Sequence, residues 1–333
     1  MGTQHQRTEE FTELRPLLFS LAYRILGSAA EAEDVLQDAW LRYARTDAVV
    51  ETPRAFLTIV VTRLAVDVLR SSRLQREHYV GHWLPEPVLT DHDDDPAAAA
   101  ERDESISMAS LLLLERLSPL ERAVYVLREV FSFDYADIAE TVERSEAACR
   151  QLAVRARKHM ALPRPRYAAD PQTRLELTRR FIAAFRHGDL EGLRDLLTAE
   201  VTMVGDGGGK APSVPHPVSG RDKVARLLAS VGAPMAAIGV RLESREINGS
   251  SGLLTRTEDG EIVNAVILEI SEDGVEMIRA VSNPDKLRHL GPVSDIWRLK
   301  EEFQQARASQ REASMSQREA PMSQRPRPDR PEG

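Results

Sequence analysis

FDYADIAETVERSEAACRQLAVRARKHM, residues 133–160, holds two helix starts and two apolar stripes, and its reading decides the first half of the chain. Asp134 is placed to cap a short helix over Tyr135–Val142, with Ile138, Ala139 and Val142 on its apolar side. Glu143-Arg144 makes a turn, and Ser145 caps a second helix. There Cys149, Leu152, Ala153, Ala156 and Met160 fall on one stripe, and Glu146, Ala147, Arg150, Gln151, Arg155 and Lys158 on the other. That pattern predicts a helix-turn-helix whose second helix enters a major groove. Arg150 and Gln151 suit guanine and adenine edges, while Arg155 and Lys158 lie further along, nearer to phosphates. Arg144 and Ser145 at the turn join them as candidate DNA contacts, and a plain helical hairpin is the competing reading. Cys149, on the buried stripe, reads as core.

Charge separates along the chain in the same sense. The net charge is −8, which taken whole disfavours nucleic acid. Yet residues 144–166 hold seven bases against Glu146, and residues 74–104 hold nine acids against two arginines. From charge alone, such a basic stripe reads either as an electrostatic footprint for phosphate inside an acidic protein or as a solvated helix face. The lone cysteine excludes a disulfide framework. No stretch reaches eighteen apolar residues and the N-terminus lacks a signal-peptide pattern, so a cytoplasmic location and no membrane partner are expected.

Working outward, residues 8–73 read as helices. Phe11, Leu14, Leu17, Leu18, Leu21, Ile25 and Leu26 recur at helical spacing until Gly27. Ser28-Ala-Ala-Glu31 starts a second helix as a capping box, and Thr52-Pro53 starts a third, which becomes basic at its end, at Arg70 and Arg73; Arg63 and Arg70 are candidate DNA contacts. On the second helix Asp34, Gln37, Asp38 and Leu41 share one face, suited to a basic partner or to plain solvation. Residues 74–104, with WLPEP and DHDDDPAAAA, read as an acidic linker. A third helical block spans 105–162 and includes a second capping box, Ser118-Pro-Leu-Glu121. From about 170 to 298 two helices precede period-two runs at 201–204, 238–247, 251–256, 262–270 and 275–281, with turns at 249–252, 258–260 and 272–274. That is an α+β unit on a curved antiparallel sheet. Residues 300–333, with SQREASMSQREAPMSQR, read as a disordered tail.

GDGGGK, 205–210, looks like a phosphate-binding loop and is not one. The motif needs a glycine at 204 and Ser or Thr at 211, where the chain has Val204 and Ala211. The glycines then mark a turn with positive φ.

SAAEAEDVLQDAWLRYA, TPRAFLTIVVTRLAVDVLR, LSPLERAVYVLREVF and the 133–160 stretch resemble, in order, the sigma-70 family, and within it the extracytoplasmic-function (ECF) sigma factors. The resemblance covers residues 8–162. It implies that 8–73 is region 2, which binds core RNA polymerase and melts the −10 promoter element by flipping a base. It implies that 105–162 is region 4, which reads the −35 element. The Asp34, Gln37, Asp38 and Leu41 face then corresponds to the surface that docks on the polymerase β′ clamp helices, and region 4 to the part that meets the β flap. Phe56 and Thr62-Arg63 stand where this group often has Trp and Arg-Asn, which leaves the −10 bases open.

The rest narrows the likeness to ECF factors with a fused SnoaL-like, NTF2-type cone-shaped domain. Trp83 and Pro85 of WLPEP, Asp206, Gly207, Gly208, Gly209 and Lys210 of DGGGK, and Asn283, Pro284, Asp285, Lys286 and Leu287 of NPDKL resemble its three signatures. They imply regulatory contacts between that domain and the sigma part, with Lys210 expected to pair with acids there, and no separate anti-sigma protein. The fold class is thus two all-α sigma domains, an α+β SnoaL-like domain and a tail. SnoaL-like folds also include enzymes with a carboxylate or His base. Asp206, His187, His216 and Glu269 are the candidates, but no spacing selects a pair, and a non-enzymatic role without cofactor or metal is expected.

Overall fold

The computed structural model describes residues 2–76, 78–90, 107–160 and 169–319; the DHDDDPAAAA stretch and the last fourteen residues lie outside them. Three helices open the chain: α1 (Gly2–Leu26), α2 (Ala29–Arg45) and α3 (Pro53–Arg76). Gly27, at φ 71°, ends α1. Ser28 caps α2 by accepting from the Glu31 N–H at 3.1 Å. After the linker come α4 (Met108–Leu114) and α5 (Pro119–Tyr125), which widens into a π turn over Val126–Val130. The Ser118–Glu121 capping box forms in both directions. The expected helix-turn-helix follows as α6 (Tyr135–Val142) and α7 (Glu146–Met160), with Glu143 left-handed in the turn at φ 54°. Asp134 accepts from the Asp137 N–H, and Ser145 from the Ala148 N–H.

These helices share one core. Leu21 and Ile25 of α1, Leu36 of α2, Leu57 of α3, Leu111 of α4, and Ile138 and Cys149 of the helix-turn-helix belong to a single buried cluster. Each fully buried aliphatic side chain contributes about 1.5–3 kcal/mol, so the apolar surface joining the two helical blocks is a substantial adhesive. Arg122, 1 % exposed, bolts them together: its Nε donates to the Arg24 carbonyl at 3.1 Å, and its guanidinium pairs with Glu115 at 2.6 Å.

The C-terminal unit starts with α8 (Pro171–His187) and α9 (Leu190–Leu196), followed by β1 (Leu197–Asp206), β2 (Val218–Ser219) and α10 (Arg221–Ala237). Then come β3 (Arg241–Ile247), β4 (Ser250–Arg256), β5 (Ile262–Ser271), β6 (Gly274–Val281) and α11 (Ile296–Glu319). The six-stranded sheet runs β2-β1-β6-β5-β4-β3. It is not wholly antiparallel as expected: β1 pairs β6 in parallel, with β3–β5 and the α10 crossover between them in sequence. Both faces of the sheet are covered. On β5, Val266 and Leu268 face the α8–α10 helices, while Ala265 and Ile267 face a second cluster that includes Leu84 of the linker and Met108 of α4. A strand covered on both faces loses its alternation and reads as a near-continuous apolar run, as β5 does.

Four boundaries shift. The helix α1 begins before residue 8, and α3 runs three residues past 73. The helix α11 runs from Ile296 to Glu319 and so extends into the segment read as tail; Leu299, buried beside Val240 and Val263, anchors its first turns. The hairpin turn falls at Asn248-Gly249, both at positive φ, instead of across 249–252.

Candidate functional site

The outward face of α7 presents Arg150, Gln151, Arg155 and Lys158, all exposed, with Val154 among them at 61 % exposure. Arg150 pairs with Glu146 one turn back and lies 5.2 Å from the Tyr135 ring centre. Arg155 Nε is 3.2 Å from Glu121. Although burial pushes Glu121 up, its hydrogen bonds from Ser118 and the Arg155 charge hold its carboxyl below the usual range. Arg144 and Ser145 are exposed at the turn. Cys149 is buried, and burial raises its thiol. On α2, Asp34, Gln37, Asp38 and Leu41 are all exposed on one face, next to a groove against α1 lined by Phe11, Arg15 and Trp40.

Arg63 stands elsewhere than a free DNA contact. Its Nε donates to the Thr141 carbonyl at 3.0 Å and its Nη2 to the Glu140 carbonyl at 2.8 Å, with Nη1 3.1 Å from Glu143. These are the orphan carbonyls at the C-terminal end of α6, where a cation is favoured. Arg70, exposed, pairs with Asp67. Thr62 is fully buried and Phe56 packs near Tyr43, 5.9 Å between ring centres. In this conformation α3 and the helix-turn-helix therefore cover part of each other.

The three signature segments meet at one place. Asp206, 0 % exposed at the end of β1, accepts from the Leu84 N–H at 2.8 Å, the Tyr79 hydroxyl at 2.5 Å and the Lys286 ammonium at 2.7 Å. Lys286 also donates to the Leu84 carbonyl, and its Nζ lies 4.3 Å from the Trp83 ring centre and 4.7 Å from that of Tyr79. A buried ammonium boxed by a carboxylate, a carbonyl and two aromatic faces is satisfied in each direction. Burial and the hydrogen bond to Asp206 drive the Tyr79 phenol well above its ordinary range. Asn283 caps the Pro284–Lys286 turn and donates to the Tyr79 oxygen at 2.8 Å, while Leu287 is fully buried.

The glycines serve this contact. At Gly208, φ 58°, a Cβ would fall 2.3 Å from Asn283 Nδ2 and 2.8 Å from the Tyr79 oxygen; at Gly207 one would fall 2.2 Å from the Ala211 carbonyl. Lys210 does not reach the sigma part as expected. The tight turn closed by its N–H on the Gly207 carbonyl aims it at Asp285 of the same domain.

Beyond Pro85, which is buried, the linker becomes a strap bonded on both sides. Glu86 accepts from the Ser28 hydroxyl at 2.9 Å and the Ala30 N–H at 3.0 Å, so it helps cap α2, and its own N–H donates to the Gly27 carbonyl. Tyr23 of α1 donates to the Glu86 carbonyl at 2.6 Å and accepts from Asn248 Nδ2 at 2.7 Å. Asn248 further exchanges backbone and side-chain bonds with Val88, and Thr90 pairs with Glu246. Short strand-like pairing thus adds residues 88–90 to the β3 edge. Tyr79, Glu86, Tyr23, Asn248, Thr90 and Glu246 went unread in the sequence; only the turn-prone Asn248-Gly249 pair carried a signal.

A cavity of about 360 Å³ lies between the sheet and α8, α10 and α11. None of the four candidate bases lines it: Asp206 is in the clasp, Glu269 pairs with Arg279, and His187 and His216 are exposed. Among the described residues no helix is long and apolar enough to cross a membrane.

Comparison with known proteins agrees with this layout. The sigma-70 region 2 family model matches residues 11–75 and the sigma-70 region 4 model residues 108–160. The ECF RNA polymerase sigma factor SigJ of Mycobacterium tuberculosis is 46% identical over 221 residues, 66% of this chain and 71% of the relative. Probable ECF RNA polymerase sigma factor SigI of the same organism is 35% identical over 191 residues, 55% of this chain and 64% of the relative. The crystal structure of SigJ from M. tuberculosis superposes with a TM-score of 0.67 at 36% identity, covering 86% of this chain and 100% of that chain.

Proposed function

This chain belongs to the extracytoplasmic-function sigma factors of the sigma-70 family, and we propose that its C-terminal domain holds regions 2 and 4 closed on each other until core polymerase and promoter DNA compete for them. The observation that carries the proposal is the strap: residues 84–90 hydrogen-bond to α1 and α2 on one side and to the C-terminal domain on the other. Met108 of region 4 packs on the same sheet, so one domain touches both sigma regions.

Geometry requires opening. The −35 and −10 elements lie about 25 base pairs apart, roughly 85 Å at ~3.4 Å per pair, whereas the two regions here share one core. Opening frees Arg63 from the α6 carbonyls and uncovers the DNA-facing side of α3. In the open state Arg150 and Gln151 read −35 base edges, with Arg144, Ser145, Arg155 and Lys158 on the backbone, and Arg63 and Arg70 meet DNA near −10. The face of Asp34, Gln37, Asp38 and Leu41, exposed in the closed state, engages the β′ clamp helices, and region 4 meets the β flap. The restraint is built into the chain and needs no separate anti-sigma protein. A contact role for the C-terminal domain is supported by the strap and Met108, which tie it to both sigma regions.

Reconstituted transcription tests this. Bare core polymerase with the full chain should initiate at a cognate promoter, and the 1–165 and 1–282 forms should give altered output with unchanged −35 preference. Equal output from all three would refute the restraint; no initiation at any promoter that the chain footprints with core would refute the sigma assignment.

A further inference from the structure

The helix-turn-helix holds an aromatic side chain, Tyr135, with no part in the contacts assigned to promoter or polymerase. Tyr135 opens α6 beside its cap, Asp134. A tyrosine is not needed to start the helix, since the Asp134 carboxylate already accepts from the Asp137 N–H. The ring is half-buried and packs on the helical core. Three guanidiniums from two other elements converge on it. Arg128 of the π turn lies 4.9 Å from the ring centre, and Arg150 of α7 lies 5.2 Å from it. Arg157, about two turns further along α7, donates from Nη2 to the Tyr135 oxygen at 3.2 Å.

The residues around the ring are themselves held. Arg157 Nε donates to Glu129 at 2.9 Å. Arg128 Nη1 donates to the Phe133 carbonyl at 2.7 Å, just before the cap of α6. The π turn, α6 and α7 thus meet at one phenol. Arg150 is the guanidinium of the three assigned to a base edge. It is held between this ring and Glu146, one turn back, while its side chain stays exposed. An arginine that reads guanine uses two parallel N–H bonds, so the plane of its guanidinium must be set. On an exposed helix that plane is otherwise free to turn, and ordering a long side chain costs binding. An aromatic face holds a guanidinium by stacking as well as by charge, and a group ordered in advance loses less on binding.

We propose that Tyr135 is a positioning residue for −35 recognition: its ring holds the Arg150 guanidinium in the plane that meets the base, and Arg157 with Glu129 holds the ring. The proposal rests on the assignment of Arg150 to a base edge, and the test separates the two.

Holoenzyme of the full chain and core polymerase is footprinted on a promoter and on its single-base −35 variants. Arg150→Ala identifies its base as the position where preference relaxes. Tyr135→Leu, or Tyr135→Met if the first variant does not fold, should cut preference at that same position by about two- to fivefold. That is the worth of one exposed cation–π contact, and the other positions should not change. Tyr135→Phe keeps the ring and should keep the preference. Added to Arg150→Ala, Tyr135→Leu should cost nothing more at that base. If Arg150→Ala relaxes a base that Tyr135→Leu leaves intact, the positioning role is overturned while the base assignment stands. A loss from Tyr135→Leu that is equal at every position, or that Tyr135→Phe shares, also overturns it and assigns Tyr135 to phosphate or to folding. No change of preference in Arg150→Ala removes the premise and the proposal with it.

Discussion

Lys286→Ala should open the clasp without unfolding the protein. In the closed state the side chains of Lys286 and Asp206 are 8% and 0% exposed and 2.7 Å apart. Removing one partner of such a buried pair costs about 3–5 kcal/mol, because the remaining charge stays buried. Once the strap leaves, both ends face water, where the same pair is worth about 0–1 kcal/mol. The loss therefore falls on the closed state, and a net ~3 kcal/mol corresponds to a change of about 150-fold in the opening equilibrium. Amide exchange measures it directly. The N–H groups of Leu84, Glu86, Val88 and Thr90 donate to Asp206, Gly27, Asn248 and Glu246, so a peptide spanning 78–90 reports opening. Its exchange should accelerate by about two orders of magnitude in the variant, with peptides from the α1–α3 core unchanged. Acceleration below threefold in a folded variant would refute the assignment of Lys286 as the anchor.

Arg150→Ala should cost about 1–3 kcal/mol at one matched −35 base and relax preference there; footprinting across single-base variants checks it, and a uniform loss would assign Arg150 to phosphate. Reversing the charges of Asp34 and Asp38 together should abolish capture of core polymerase in a pull-down while leaving the helical circular dichroism spectrum intact. Glu121→Gln should lower the melting temperature of the helical half near neutral pH. Because the folded carboxyl of Glu121 is held below its ordinary value, its contribution is present above the unfolded carboxylate pKa and vanishes as pH falls through the folded one. The wild-type and variant melting curves should therefore converge in acid.

The helical half was legible because its signals are local. Ser118-Pro-Leu-Glu121, Asp134 and Ser145 each announce a helix within four residues, and each cap forms. The strands from β3 to β6 were legible for the same reason. The helix α10 went unread: Gly220 caps it with no side-chain bond, and Gly232 and Pro234 interrupt its last turns. So did the start of α11, whose order depends on Leu299 meeting Val240 and Val263. In the clasp, Trp83, Asp206 and Lys286, one from each of the three segments that the resemblance singled out, lie together. Their partners were hidden by distance, since Tyr79 lies 127 residues from Asp206 and Tyr23 lies 225 from Asn248. Glu86 was hidden too, because a proline-flanked linker glutamate gives no sign that it caps a helix 58 residues earlier.

Closure of the free protein by its own C-terminal domain can be measured directly. Fluorescence energy transfer between dyes at Asp67→Cys on α3 and Glu140→Cys on α6, in a Cys149→Ser background, reports the gap that Arg63 spans. The full chain alone should give one high-transfer population, Lys286→Ala and the 1–165 form should add a low-transfer one, and core polymerase should shift all three to low transfer. A full chain as open as the 1–165 form before polymerase is added would contradict the account.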